Sequence, residues 1–170
     1  NATRAARGEV WVPDDCSTLK KAVEKITKDK TLTTIVVGKG EHVVEVYKNE
    51  DGDNSNSLEI SSAMNIVGDP GASKEKIVVV GGIEFNEGIQ GNCHLQHMTI
   101  RDSKWHGVLG KASFTMENII VEQCGRYGVL ASGTAGVGRG TNVEVRQCGK
   151  SGVVAFKGAS ITLIGAKTTV

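Results

Sequence analysis

Three segments of this chain repeat a single pattern, and this repeat limits the fold more than any other feature of the sequence. The segments are MTIRDSKWHGV (98–108), IIVEQCGRYGV (119–129) and VEVRQCGKSGV (143–153), which start 21 and 24 residues apart. In each, an apolar residue comes first, another follows two positions later, a small residue three positions after that, and Gly-Val closes the unit. A period of about 20–25 residues with short strands is typical of a stacked solenoid.

The composition favours β-strands as the building blocks of this solenoid. The chain has 22 glycines and only 4% aromatic residues, and glycine bounds short runs such as TTIVVG and KIVVVGG. Such runs are typical of buried strands. Leucine-rich repeats share the period, but their leucine spacing is missing. We therefore predict an all-β fold, a parallel β-helix with coils about 4.8 Å apart. The repeated glycines are expected at corners that need a positive φ or a tight bend.

The alternation of apolar and polar residues predicts which side chains fill the tube. The apolar positions of the three segments are expected to point inward, and the residues between them outward, among them Thr99 and Ile120. This places Arg101, Glu122 and Arg146 in one outward row. The charges of this row alternate in sign, which suits neighbouring strands because like charges side by side repel.

The first part of the chain predicts a short tail followed by a helix. We expect residues 1–9 to form an N-terminal tail and residues 10–170 to form a single domain. In the segment STLKKAVEKI, apolar residues recur at helical spacing, and residues of the preceding DDCS segment (14–17) offer N-caps. The predicted amphipathic capping helix therefore covers about residues 16–28.

Two stretches of the front half carry a family resemblance. They are VWVPDDCSTLKKAVEKITKDKTLTTIVVGKGEHVVE (10–45) and LEISSAMNIVGDPGASKEKIVVVGG (58–82). They resemble the entrance of the right-handed parallel β-helix (pectin-lyase-like) superfamily, in which an amphipathic helix closes the end of the tube. The segments GIQGNCHLQHMTI (88–100) and GASITLIGAKTTV (158–170) are similar to uncharacterised β-helix proteins of unicellular algae. The resemblance implies a right-handed β-helix and carries no assigned activity.

Many members of this superfamily stack asparagines at the corner after a strand, and the resemblance implies a comparable ladder here. The matching positions hold Ser103, Cys124 and Cys148, so we expect a small buried ladder of one hydroxyl and two thiols. Stacked cysteines are near enough for a disulfide by Cα distance. Their parallel side chains nevertheless favour free thiols, which behave as small apolar groups.

The catalytic motifs of the superfamily's polysaccharide enzymes are absent from the sequence. Strings typical of pectin methylesterases, pectate lyases, polygalacturonases and alginate epimerases do not occur, and fold alone does not confer function. One interpretation of the remaining cluster is a sugar-binding or acid/base site, with an aromatic platform, a proton shuttle and a cation that neutralises a uronate. The other is a solvated corner of ordinary amphipathic residues. The cluster includes Arg101, Asp102, Lys104 and Ser151, and its expected binding residues are Trp105, His106, Arg126, Tyr127 and Lys150.

No metal or cofactor site is predicted. His94 and His97 lie three positions apart in a strand or turn, which is a poor arrangement for a metal, and the cysteines form no CxxC pair. The segment NEDGDNSNS (49–57) alternates oxygen ligands as a calcium loop does, but it lacks the glycine and the final glutamate at the positions that such a loop requires. We interpret it as a flexible polar insertion between coils.

Charge and hydropathy argue against two classes of partner. The net charge of +1 gives no reason to expect nucleic acid, and no apolar run approaches the roughly 20 residues needed to cross a membrane. Since KTTV directly follows a strand pattern, we expect an open C-terminal coil that attracts a protein partner or a second copy. The Arg- and Ala-rich start leaves open an organellar (plastid) or a secreted location after N-terminal processing.

These features lead us to expect a non-catalytic β-helix scaffold or binding module, with a structural or linking role in a larger assembly. Its ligand would be a partner surface or a glycan. The alternative is a carbohydrate-active enzyme, a polysaccharide lyase or epimerase that acts on uronic-acid polymers. In that case His106, Tyr127 and Arg126 would be the catalytic residues.

Overall fold

The chain winds into a parallel β-solenoid of about six turns, which confirms the predicted fold class. The computed structural model describes residues 2–170. Two short helices, α1 (Ala2–Ala6) and α2 (Leu19–Lys28), precede the regular coils. The strands, in chain order, are β1 (Glu9–Val12), β2 (Thr34–Val37), β3 (Gly40–Val43), β4 (Tyr47–Lys48), β5 (Asn54–Ser55), β6 (Ser57–Ile60), β7 (Asn65–Gly68), β8 (Ile77–Val80), β9 (Gly82–Phe85), β10 (Cys93–Arg101), β11 (Val108–Gly110), β12 (Phe114–Glu122), β13 (Val129–Ser132), β14 (Val137–Arg146), β15 (Val153–Phe156) and β16 (Ser160–Ile164).

Each full coil contributes strands at three positions around the tube. At the first position, β1, β2, β7, the first halves of β10, β12 and β14, and finally β16 stack in parallel. At the second, β3 and β8 are followed by the second halves of β10, β12 and β14. At the third, β6, β9, β11, β13 and β15 form a separate parallel sheet. Equivalent residues of successive coils therefore lie beside one another, although they are far apart in sequence.

The register between coils agrees with the predicted stacking. The residues at the predicted inward positions of the three segments are paired and buried. The outward row Arg101, Glu122 and Arg146 is also in register, and Arg146 Nε lies 2.9 Å from Glu122 Oε2. Arg101 pairs with Glu41 of an earlier coil instead of Glu122. Both arginines of this row therefore form ion pairs, but only Arg146 pairs with the glutamate of the row.

The corners of the coils use a left-handed backbone at residues other than glycine. Two rows of residues have φ between 52° and 58°, one row inside the long strands and one directly after them. Asparagine and aspartate tolerate this conformation better than most residues, and they hold three of the six positions. These rows are His97, Asn118 and Asn142, and then Asp102, Gln123 and Gln147.

The repeated glycines Gly107, Gly128 and Gly152 have no positive φ, so this part of the expectation for them is wrong. They are needed because neighbouring coils approach too closely for a side chain. A Cβ at Gly128 would lie 2.3 Å from Val145 Cγ1 and 2.6 Å from the Gly152 carbonyl oxygen. A Cβ at Gly107 would lie 2.3 Å from Val121 Cγ1. The inward-pointing valine thus occupies the space that a Cβ would need in a close-packed interior.

Helix α2 packs against the first coil and begins about three residues later than predicted. Its N-cap is Thr18, whose Oγ1 accepts a hydrogen bond from Lys21 N at 3.2 Å. The expectation that a residue of 14–17 caps the helix is wrong, and Asp15 Oδ2 instead accepts a hydrogen bond from Trp11 N at 2.9 Å. The apolar face of the helix is buried, as predicted, and comprises Leu19, Ala22, Val23 and Ile26.

Two segments outside the predicted repeat have regular secondary structure. Helix α1 and the first residue of β1 lie within the expected tail 1–9. The segment 49–57 contains the turn and second strand of an antiparallel hairpin formed by β4 and β5, and not a flexible insertion. Asn49 holds this turn, because its Oδ1 accepts hydrogen bonds from the backbone N–H groups two and four residues later, at 3.1 Å and 2.8 Å.

A segment that includes the 3₁₀ helix Lys74–Lys76 covers part of the outer face of the solenoid. Thr99 and Ile120 lie outside the core cluster, yet they are only 3% and 2% exposed. Thr99 Oγ1 donates a hydrogen bond to the Lys74 carbonyl oxygen at 3.0 Å. The outer face is therefore not solvated throughout.

Polar contacts anchor this covering segment to the strands below it. His97 Nε2 donates to the Ala72 carbonyl oxygen at 2.6 Å, and its Nδ1 accepts from Asn118 Nδ2 at 2.9 Å. Asn118 Oδ1 accepts from Lys74 Nζ at 3.0 Å, and the same ammonium lies 3.2 Å from Glu144 Oε2. Each of these polar groups has a partner, as burial requires.

Candidate functional site: a cationic and aromatic ridge

The five predicted binding residues lie together at one corner of the solenoid, between the second and third strand positions. We call Trp105, His106, Arg126, Tyr127 and Lys150 the ridge. Arg126 N donates to the Trp105 carbonyl oxygen at 2.8 Å, and Lys150 N donates to the Arg126 carbonyl oxygen at 2.9 Å. Three successive coils therefore each supply one rung of the ridge, at the strand spacing of about 4.8 Å. Trp105 and His106 form the first rung, Arg126 and Tyr127 the second, and Lys150 the third.

The side chains of the ridge stack on one another along the solenoid. Arg126 Cζ lies 4.1 Å from the centre of the Trp105 ring. The rings of His106 and Tyr127 are 5.3 Å apart at an interplanar angle of 8°, and Lys150 Nζ lies 5.9 Å from the centre of the Tyr127 ring. Each close cation over an aromatic face is favourable. These contacts cover one face of the Trp105 ring and place His106 and Lys150 next to the Tyr127 ring, so positive charge is a main feature of the ridge.

The first rung is held from above by the hairpin and the residues that follow it. Trp105 Nε1 donates to the Asn54 carbonyl oxygen at 3.0 Å. The Asn56 amide spans the same corner, because its Oδ1 accepts from Lys104 N at 2.8 Å and its Nδ2 donates to the Asp102 carbonyl oxygen at 3.1 Å. Sequence reasoning missed Asn56, since it lies in a segment interpreted as a polar insertion.

His106 is held in its neutral form. Burial, together with the nearby charges of Arg126 and Lys150, lowers the pKa of His106 from 6.5 to about 4. Its Nδ1 accepts a hydrogen bond from Tyr127 N at 3.4 Å, which places the single proton of the neutral ring on Nε2. A neutral imidazole whose free lone pair is already used is a weak general base at neutral pH.

The cations of the ridge lack carboxylate partners. Within residues 2–170, no Asp or Glu oxygen lies within salt-bridge distance of Arg126 or Lys150, whereas Arg101 and Arg146 are each paired. The rungs also contain no acidic residue. The ridge is therefore a local excess of positive charge on a chain whose net charge is only +1.

The predicted ladder lies just before the ridge in each coil. Ser103 and Cys124 are buried and Cys148 is half-buried. Ser103 Oγ accepts from Trp105 N at 3.2 Å, while the two thiols donate to the carbonyl oxygens of Glu122 and Arg146 at 3.4 Å and 3.6 Å. Both cysteines are free thiols, and of the three ladder side chains it is Ser103 that bonds to a residue of the ridge.

The polar groups considered as metal ligands are engaged in hydrogen bonds. His94 Nδ1 contacts Thr115 Oγ1 at 2.6 Å, and its Nε2 contacts Gln96 Oε1 at 3.1 Å, while both ring nitrogens of His97 anchor the covering segment. Among the described residues there is no cluster of three or more His, Cys, Asp or Glu side chains suited to a metal ion. The helices of residues 2–170 are all too short or too polar to cross a membrane.

Comparison of the chain with protein-family models, with curated proteins and with solved structures finds no match. The geometry and charge of the ridge are therefore the features of the molecule that point to a function.

Proposed function

We propose that this chain is a non-catalytic β-helix module that binds an anionic partner through the ridge. The observation that carries the proposal is the stack of Arg126 and Lys150 on aromatic rings with no carboxylate partner among the described residues. The Trp105 ring beneath Arg126 restricts the position of this guanidinium before a ligand arrives, which lowers the entropy that binding would cost. The proposal includes membership of the pectin-lyase-like superfamily, supported by the three-strand coils and the N-terminal helix.

The stacking favours recognition by charge over stacking of a sugar ring. Arg126 lies over the Trp105 ring, and Tyr127 has His106 on one side and the Lys150 ammonium nearby. A sugar that stacks on one of these covered ring faces would have to displace the contact already there. Carboxylates of a partner protein or of a uronic-acid polymer can instead approach the exposed ends of the two cations.

The enzyme alternative receives less support from the ridge. A lyase or epimerase needs a base that removes a proton from the sugar ring. His106 is neutral, and its Nδ1 already accepts the Tyr127 N–H. The unpaired charge of Arg126 could neutralise a uronate, and Tyr127, the other candidate for proton transfer, is stacked on His106. The rungs contain no carboxylate that could act as the base. Binding therefore fits the ridge better than proton transfer does.

A protein partner or second copy at the last coil is a second part of the proposal. Within the described residues, β15 and β16 pair on one side only, and Phe156 and Ile164 are 42% and 58% exposed. An edge strand beside exposed apolar side chains can add a further strand. Light scattering of the wild type and of Ile164→Lys tests this. A wild-type protein that stays monomeric at all concentrations and binds no strand of a partner would contradict it.

The test of the ridge compares two double variants that each remove two positive charges. Arg126→Gln with Lys150→Gln changes the ridge, whereas Lys30→Gln with Arg139→Gln removes exposed charges elsewhere. Binding of polyglutamate and of polygalacturonate is measured by calorimetry at two salt concentrations. We expect the ridge variant to bind at least one polymer about tenfold more weakly than the control variant, and wild-type binding to weaken with salt.

Two results would overturn the proposal. Equal loss of affinity in both double variants would mean that only net charge matters. Turnover of a uronic-acid polymer that disappears in His106→Ala or in Tyr127→Phe would establish the enzyme alternative. Calorimetry and product analysis of the same samples separate these outcomes.

A further inference from the structure

Two thiols occupy equivalent places in adjacent coils, immediately before the second and third rungs of the ridge. Glu122 pairs with Arg146 in parallel register, and Gly149 N donates to the Cys124 carbonyl oxygen at 2.8 Å. The backbones at Cys124 and Cys148 therefore stay one strand spacing apart, about 4.8 Å. This separation lies inside the range of Cα distances that a disulfide can span, about 4.4–6.8 Å.

The side chains of the pair are packed so that one sulfur already leans toward the other coil. A Cβ at Gly128, in the coil of Cys124, would lie 3.2 Å from Cys148 Sγ. A Cβ at Gly107, one coil further up, would lie 2.9 Å from Cys124 Sγ. Both sulfurs thus lean in the same direction. Rotation of the Cys124 side chain alone, with loss of its hydrogen bond to the Glu122 carbonyl oxygen, would turn its sulfur toward Cys148.

We propose that Cys124 and Cys148 form a redox-active dithiol site, which closes to a disulfide by exchange with a small-molecule disulfide such as oxidised glutathione. In the first step the Cys148 thiolate attacks one sulfur of oxidised glutathione, and one glutathione thiolate leaves. In the second step the Cys124 thiolate attacks the Cys148 sulfur, and the second glutathione thiolate leaves. The protein pair loses two electrons and two protons, and one oxidised glutathione becomes two reduced molecules.

The order of the two steps follows from accessibility. Cys148 is half-buried, whereas Cys124 is 3% exposed, so the external disulfide reaches Cys148 first. Burial, with a smaller contribution from the neighbouring Cys148 thiol, raises the pKa of Cys124 well above its ordinary value. The second step is therefore slow at neutral pH, and its rate rises by about tenfold for each pH unit because the thiolate fraction does.

The disulfide that forms is expected to be easily reduced. Parallel side chains at ladder spacing hold the two Cβ atoms further apart than the mean of about 3.8 Å found in unstrained disulfides. Closure must pull the coils together or twist the bond, and strained disulfides have more oxidising potentials. We therefore expect reduced glutathione to reopen the bond, as in a reversible modification site.

The test uses the full chain and variants in which serine, the residue at the equivalent position 103, replaces each cysteine. Because serine already occupies the equivalent place in the preceding coil, Cys124→Ser and Cys148→Ser are substitutions that the ladder accepts. Protein is incubated with oxidised glutathione between about pH 7 and 9, alkylated, digested and analysed by mass spectrometry. We expect wild type to give a Cys124–Cys148 linked peptide, and Cys124→Ser to stop at the Cys148–glutathione adduct.

The controls separate this pair from nonspecific thiol chemistry. Cys148→Ser should leave Cys124 reduced, and Cys16 and Cys93 should not appear in the linked peptide. The proposal fails if wild type stays at the Cys148 adduct even at the highest pH, or if the linked peptide resists reduced glutathione. It also fails if Cys124 reacts as fast in Cys148→Ser as Cys148 does in Cys124→Ser.

Discussion

Replacing Gly128 by alanine tests why the Gly-Val unit is repeated. The residue lies where the second-position strand turns into β13, and its φ is not positive. A Cβ there would lie 2.3 Å from Val145 Cγ1, 2.6 Å from the Gly152 carbonyl oxygen and 3.2 Å from Cys148 Sγ. If close approach of the coils is the reason for the glycine, a single methyl group should be enough to destabilise the solenoid.

The expected magnitude follows from which of these atoms can move. Inserting a methyl into a packed core costs about 1–3 kcal/mol. The Gly152 oxygen belongs to the backbone of the next coil and cannot rotate away, so the cost lies toward the upper end of this range. The alanine gains about 0.4–1 kcal/mol through the unfolded chain. We therefore expect Gly128→Ala to lower the free energy of unfolding by about 2 kcal/mol.

Urea denaturation of four variants, Gly128→Ala, Gly133→Ala, Val145→Ala and the double variant, measures this effect and its origin. Gly133→Ala is the matched control, because its Cβ would meet no atom within 4 Å but its φ is +81°. Its cost is that of a left-handed alanine, about 1 kcal/mol. The double variant Gly128→Ala with Val145→Ala removes the closest contact. We expect it to be more stable than the sum of the single effects by about 1 kcal/mol.

The reasoning would be refuted if Gly128→Ala cost no more than Gly133→Ala. It would also be refuted if the effects of Gly128→Ala and Val145→Ala were simply additive. In either case the glycine would serve the backbone conformation and not the contact between coils.

Three further predictions use the same denaturation assay. Because the folded pKa of His106 is about 4 and its ordinary value is 6.5, only the unfolded chain gains this proton between these values, so unfolding free energy falls as pH drops from about 6.5 to 4. His106→Gln should remove about 1–2 kcal/mol of that fall after allowance for solvent screening, and an unchanged pH profile would contradict this. Lys74→Met, which loses the contacts to Asn118 and Glu144, should cost about 1–2 kcal/mol, against less than about 1 kcal/mol for Arg146→Met at an exposed pair; equal costs would count against the anchoring role. Phe114→Ala, which empties a fully buried site beside Phe85, should cost about 3–5 kcal/mol, and a cost below about 1 kcal/mol would show that the core collapses to fill it.

The fold could be predicted because the repeat obeys one local rule. Within residues 98–153, alternation of apolar and polar residues coincides with the alternation of inward and outward positions. A register shift by one residue would turn every apolar side chain outward, so the pattern allows a single stacking. The ridge residues followed from that stacking, since positions that align in sequence lie on adjacent coils.

The sequence could not predict the contacts made by segments outside the repeat. Thr99 and Ile120 occupy outward positions, and nothing in their own segments shows that residues 69–76 cover them. Asn56, directly after the hairpin, supports the first rung although the atoms it binds are 46 and 48 residues away in sequence. The lowered pKa that keeps His106 neutral depends first on its burial and then on cations from two other coils. Each of these features needs distances between segments, which a local pattern does not contain.

Because the register between coils is constant, the length of the solenoid is set by the number of its coils. Glu122 and Arg146 are separated by 24 residues in sequence, a length that would reach about 80 Å if fully extended, yet they are neighbours one strand spacing apart. A duplication of residues 122–145, inserted after Val145, would therefore add one whole coil. In the outward row Glu122 would then lie beside its own copy, and the copy would lie beside Arg146. The duplication would lengthen the molecule by only about 4.8 Å and place a second copy of Arg126 and Tyr127 in line with the first. The number of coils would thus set the length of the surface that a partner contacts, while each coil presents the same surface.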